Sequence, residues 1–172
     1  MKNRIVLASK FLIMGFLIVG CSTGSDSNCP EDFVGALSSE EEAIVGTWVL
    51  TDIVSEEAKD LTDDDVDNPS TEIFDQLSYC NKDIEYLFNS DRAFTLKQGY
   101  NADNCSNKFM LNGSWKYVNG QMSFVQSCNT NSVDIFLNNE LTVFTIEDVL
   151  TFNEVDGTVS TSNVTLTYTK SL

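Results

Sequence analysis

The chain has 172 residues, 26 of them acidic and 10 basic, for a net charge of −16. So acidic a surface repels the phosphate backbone, which excludes DNA and RNA as partners. Histidine is absent, and with it go imidazole-activated serine or cysteine nucleophiles and histidine-ligated zinc or haem.

The first twenty residues have the three parts of an export signal. Lys2, Arg4 and Lys10 make a basic start, Phe11 to Val19 an apolar run, and Gly20 a small residue at its end. The run falls short of the ~20 residues that span a bilayer. The segment Ile18-Val19-Gly20-Cys21 resembles the lipobox of bacterial lipoproteins. The resemblance implies cleavage before Cys21 and a diacylglycerol on its thiol, so residues 1–20 are expected as a signal peptide and the bilayer as a partner through Cys21. Each buried methylene adds ~0.8 kcal/mol, so two or three acyl chains make the attachment durable. Ser22, where Gram-negative sorting would place Asp for inner-membrane retention, implies the outer membrane; its periplasmic or surface face stays open. Cleavage removes three basic residues and no acid, taking the charge from −16 to −19.

Residues 21–43, rich in Ser, Gly, Asp and Asn, are expected as a flexible tether, with Ser39 and Glu42 spaced as a capping box for one helical turn. The domain proper is expected over 44–172. Its first strand runs Ile44 to Val54. The polar stretch 55–79 is expected as a loop with one short helix, Ser70 to Leu77, started by Asn68-Pro69. Ile84, Tyr86 and Phe88 alternate, as do Phe94 and Leu96; a three-residue loop Asn89-Ser90-Asp91 pairs Tyr86 with Phe94 and Ile84 with Leu96. Asn119-Gly120 suits a type I′ turn, since both positions need positive φ. It pairs Tyr117 with Met122, Trp115 with Phe124 and Leu111 with Cys128. Strands follow at Val133 to Leu137, Leu141 to Ile146, Val149 to Val155 and, after an Asp156-Gly157 turn, Val159 to Thr169. Eight or nine strands at short spacing make an all-β meander, which hides its edges best by closing into a barrel.

Apart from Cys21, the cysteines are Cys29, Cys80, Cys105 and Cys128. An exported compartment permits disulfides. Cys80 and Cys105 flank the expected Ile84–Leu96 hairpin and are the favoured pair; Cys29 and Cys128 are either a second disulfide or two free thiols.

Gly46-Thr47-Trp48 resembles the Gly-x-Trp signature of lipocalins. Together with Cys80-Asn81-Lys82-Asp83, Phe88-Asn89-Ser90-Asp91, Cys105 and Gly113-Ser114-Trp115, it makes Ile44 to Lys170 resemble the lipocalin-like domains of Bacteroidota lipoproteins. The resemblance implies an up-and-down antiparallel barrel of about eight strands, plugged at one end by Trp48. The family's function is mostly unassigned. Lipocalins commonly stack an Arg over that Trp; Lys170 is the nearest candidate here.

The inward aromatics Trp48, Tyr86, Phe94, Trp115, Tyr117 and Phe124 are candidates to line an apolar ligand cavity, or else simply fill the barrel. Asp60, Asp63, Asp64, Asp65 and Asp67 place oxygens at alternate positions, as calcium loops do, but Asn68 and Phe74 stand where such a loop needs Gly and Glu. A solvated loop is the expectation, with no metal and no cofactor. Asp52, Asp83, Glu85 and Asp134 form no catalytic pattern, so no enzymatic activity is expected. Two roles remain. One is non-catalytic binding of a small apolar or extended ligand. The other is an interaction module with a filled barrel, touching an envelope protein or glycan through its loops. A connected cavity of ~300 Å³ or more separates them.

Overall fold

Alternation of apolar and polar side chains carries through nearly the whole chain, and it closes on itself. The structure is a computed structural model describing residues 29–171; the expected export signal and the expected lipidation site Cys21 lie outside the described residues. A short helix α1 (Ser39–Ile44) leads into β1 (Gly46–Lys59). A small β2 (Ser70–Glu72) and two single-turn helices, α2 (Ile73–Gln76) and α3 (Tyr79–Lys82), follow. Then come β3 (Ile84–Phe88), β4 (Ala93–Gln98), β5 (Phe109–Val118), β6 (Gln121–Gln126), β7 (Asn129–Leu137), β8 (Val143–Asn153) and β9 (Val159–Lys170). Sequential antiparallel neighbours run from β3 to β9, and β1 pairs with both β3 and β9. Eight strands thus form a closed up-and-down barrel, with β2 added outside the circuit on β1.

Several elements differ from the sequence reading. The β3–β4 hairpin closes on Phe88 and Phe94 and pairs Tyr86 with Leu96 and Ile84 with Gln98, two residues along from the three-residue loop. The slide keeps every side chain on its face, so parity cannot detect it. Arg92 enables it by taking φ +70°. The Leu141–Ile146 and Val149–Val155 strands are one continuous β8. The helix expected over 70–77 begins as a strand, because Ser70 and Glu72 pair with Lys59 and Val54 of an extended β1. The Asn119-Gly120 hairpin has the expected Tyr117–Met122 and Trp115–Phe124 pairs. It stops short of Leu111–Cys128, since Ser127 and Cys128 turn at φ +46° and +63°. The capping box is Ser38 with Glu41, one residue before the expected pair.

The barrel has a sealed end and an open one. At the sealed end Trp48, Phe88, Trp115 and Phe144 are fully buried. Trp48 Nε1 donates to Ile44 O at 2.7 Å and Trp115 Nε1 to Asn89 O at 3.1 Å. Lys170 does reach Trp48: its Nζ sits 5.4 Å from the ring centre and donates to Ala43 O at 2.9 Å. Gly46 leaves room for it, as a Cβ there would lie 2.8 Å from Lys170 Cε on a backbone at φ +133°.

The segment read as a tether is, from Cys29 onward, fastened to the barrel. Cys29 is disulfide-bonded to Cys128, Phe33 N–H donates to Ser114 Oγ at 2.8 Å, and α1 caps the sealed end. Here Arg92 and Glu41, both buried, form a bidentate pair at 2.7 and 2.9 Å. The same guanidinium donates to Gly35 O and Ala36 O. Burial acts to raise the Glu41 pKa, but hydrogen bonds from Arg92 and from the Ser38 and Tyr117 N–H groups, with the Arg92 charge, bring it from 4.5 down to about 2.

Candidate functional site: the barrel mouth

The six aromatics lie at different depths. Trp48 and Trp115 are sealed at the capped end, Tyr86 and Phe94 are buried, and Tyr117 and Phe124 are half-buried. Ring contacts bind most of them into one stack. Tyr86 is 5.6 Å from Phe88 and 6.1 Å from Phe124, Phe94 is 4.8 Å from Phe124, and Phe88 is 5.2 Å from Trp115. This stack fills the lower barrel. Trp48 and Trp115 are therefore structural plugs beneath the mouth, whereas Phe124 stands at its floor.

Toward the far end the inward-facing positions open up. Ile84, Leu96, Leu111, Phe124 and Val133 are only part-buried, and Phe109 is 44 % exposed. Strand alternation places all of them on the inner face. The same face carries Gln98, Gln126 and Asn131, all half-buried.

One acid joins them. Along β8, Phe144, Ile146, Leu150 and Phe152 are buried while Glu147, Val149 and Thr151 are exposed. Asp148 is in phase with the buried set and pairs with Val164, itself 3 % exposed. Its Oδ1 accepts the Val149 N–H at 2.7 Å. Its charge is felt by two buried tyrosines whose rings are 5.4 Å apart, Tyr86 and Tyr168. Burial, then Asp148, pushes the Tyr86 pKa up to about 12. Burial, then Tyr86 and Asp148, also raise the Tyr168 pKa well above its ordinary value. No protein hydrogen bond offsets either shift. Among the described residues no sealed side-chain N or O lacks a partner. The two tyrosines are 95 % and 97 % buried.

The mouth also has a side opening. Strands β7 and β8 pair only from Ile135–Ile146 to Leu137–Phe144. Beyond that, β7 pairs with β6 and β8 with β9. Asn131 and Val133 flank the parting on one side and Asp148 on the other.

A family model described as a domain of unknown function, DUF5004, matches residues 22–171. The chain belongs to the DUF5004 family. A search of curated proteins gives no match.

Both disulfides of this DUF5004 domain lie around the mouth. Cys80–Cys105 ties α3 to the β4–β5 loop, and Cys29–Cys128 ties the lead-in to the β6–β7 turn. The acidic run lies on the rim, in a depression of about 610 Å³ shared with Glu154 and Asp156. There Asp60 Oδ1 accepts from the Thr62 N–H and hydroxyl at 3.2 Å. Among the described residues no group of three acidic side chains is arranged to hold a metal ion. The four acids weighed for chemistry in the sequence have structural partners. Asp52 accepts from Ile53 N–H, Asp83 from Asn101 and Ala102 N–H, Glu85 from Lys97 and Asp134 from Gln121.

Sequence reasoning missed Asp148, Tyr168 and the Glu41–Arg92 pair in this DUF5004 chain. For Asp148 the signal was available: reading 143–153 as one strand puts it in phase with four apolar residues. Nothing in the local sequence links Glu41 with Arg92, which are 51 residues apart.

Proposed function

We propose that this protein is a lipid-anchored, lipocalin-like lipoprotein of the cell envelope that binds a small apolar or extended ligand in its barrel mouth, without catalysis. The observation that carries the reading is the burial gradient. Inward apolar side chains are sealed at the capped end and part-exposed from Ile84, Leu96 and Leu111 outward, so the open end presents an apolar lining over an aromatic floor.

The anchor reading rests on the sequence: the basic start, the apolar run and Ile18-Val19-Gly20-Cys21. Cys29 is eight residues along the chain from Cys21, a reach of at most about 29 Å. Because Cys29 is bonded to the β6–β7 turn, a lipidated Cys21 would keep the mouth near the bilayer. The outer membrane is the proposed location.

Native mass spectrometry of residues 22–172 purified from the protein's own host tests the binding role: a co-purifying small molecule is expected, and a bare mass refutes it. Cys21→Ser in the full chain should move the protein from the membrane to the soluble fraction, and its retention on the membrane would remove the anchor. The filled lower barrel favours a second reading, an interaction module that contacts an envelope protein or glycan through its rim. A bare mass together with a stable envelope complex would select it.

A further inference from the structure

One arc of the open rim is unlike the rest of the chain. Three of the four exposed aromatic rings among the described residues stand on it: Tyr79 at 79 %, Phe109 at 44 % and Tyr100 at 39 %. Met110, beside Phe109, is 43 % exposed. We propose that this arc, α3 with the β4–β5 loop, is a membrane-docking surface that lays its rings into the interfacial layer of a lipid bilayer. The proposal rests on the anchor reading above and adds a second contact to it, one that sets which side of the barrel meets the bilayer.

The arc is a single fastened surface. Gln98 pairs with Ile84 on one side and with Phe109 on the other, so the ends of β3, β4 and β5 lie in a row. The Cys80–Cys105 bridge bolts α3 to the loop, with Cα atoms 5.5 Å apart. The Gly99 N–H donates to Asp83 O at 2.9 Å, and the Asn101 and Ala102 N–H groups donate to the Asp83 carboxylate. Groups held this way lose little freedom on binding. Lys82 Nζ lies 5.1 Å from the Tyr79 ring centre and Lys108 Nζ 5.2 Å from that of Tyr100. Tyrosine with lysine suits the level where hydrocarbon meets water: the ring and the lysine stem are apolar, the hydroxyl and the ammonium are not.

Charge and tether length name the occupant. Residues 73–110 carry four basic and five acidic side chains, whereas the rest of 21–172 carries three basic and 21 acidic. Cytoplasmic and outer leaflets alike tend to be anionic, so the acidic remainder is repelled from a bilayer and the near-neutral arc is not. A basic partner protein would be drawn to that remainder instead. The acidic depression lined by Asp60, Asp63 and Asp156 sits round the barrel from the arc, at the end of β1 and the β8–β9 turn; docking through the arc leaves it in water. Cys29 is held by Cys128 in the β6–β7 turn, and β6 is the neighbour of β5. With strands about 4.8 Å apart, the rings stand a few strand spacings from that attachment, inside the roughly 29 Å that the chain from Cys21 to Cys29 can span.

The test uses residues 21–172, which contain both disulfides and the whole described core, Leu37 to Tyr168. Cys21 is then the one cysteine outside the disulfides. Coupling its thiol to a maleimide lipid in phosphatidylcholine vesicles puts the protein on a bilayer whether or not its host lipidates it. Tyr79→Trp, Phe109→Trp and, toward the capped end, Phe136→Trp each add one emitter to the buried Trp48 and Trp115. Brominated phosphatidylcholine, which quenches indoles that reach the acyl chains, is expected to cut the added emission at 79 and 109 at least twofold and to leave that at 136 unchanged. Adding Tyr100→Ser and Met110→Ser to Phe109→Trp should relieve the quenching. Failure of either arc position to be quenched more than position 136 would overturn the docking surface. Quenching that persists in the Ser variant would do the same, since the tether alone would then account for it. The anchor reading stands or falls separately, on the fractionation of Cys21→Ser in the host.

Discussion

Replacing Glu41 by Gln tests whether the capped end is held by a charge. The amide is nearly isosteric and can still accept from Arg92, so the change removes charge rather than volume. Arg92 would remain 6 % exposed, facing Gly35 O and Ala36 O but without a counter-ion. Losing one partner of a buried ion pair costs about 3–5 kcal/mol. The pKa gives an independent figure. A fall from 4.5 to about 2 at 1.36 kcal/mol per unit is roughly 3 kcal/mol. Because the folded-state value lies below the unfolded one, this stability is present in full above pH 4.5 and is lost as pH falls toward 2. Urea unfolding followed by tryptophan fluorescence is the assay, since Trp48 and Trp115 both lie at this end. Glu41→Gln is expected to be about 3 kcal/mol less stable at pH 7. The gap should shrink by about 2 kcal/mol by pH 3, because protonated Glu and Gln are equivalent here. A gap that stays constant between pH 7 and pH 3, or one under about 1 kcal/mol at pH 7, would refute the reasoning.

Gly113→Ala should cost about 3 kcal/mol or more, since its Cβ would stand 2.1 Å from Val125 O and 2.8 Å from the Phe94 ring; a variant as stable as the parent in the same urea assay would contradict the contact. Lys170→Met removes the cation over Trp48 and the bond to Ala43 O, with an expected loss of about 1–3 kcal/mol and a changed Trp48 emission; unchanged emission would place Lys170 elsewhere. Chain-entropy arguments assign the Cys29–Cys128 bridge, which spans 99 residues, about 4.7 kcal/mol, and the 25-residue Cys80–Cys105 bridge about 3.5 kcal/mol. Paired Cys→Ser variants should therefore rank in that order by unfolding midpoint, and the reverse order would show that the loop-length account fails here.

The amino-acid pattern by itself determined the all-β class, a meander of eight or nine strands, the inner and outer face of most strands and the Asn119-Gly120 hairpin. These depend on period-two alternation and on turn residues with few allowed conformations, both properties of neighbours in the chain. Tertiary structure decided the β3–β4 register, because a two-residue slide preserves parity and only the left-handed Arg92 and its partners select one answer. It also decided that residues 29–43 fasten to the barrel, through the long-range Cys29–Cys128 and Glu41–Arg92 contacts. The barrel interior was decided the same way: Tyr86 and Tyr168 come from different strands and barrel closure brings their rings within 5.4 Å, since the spatial adjacency of distant segments has no local signature.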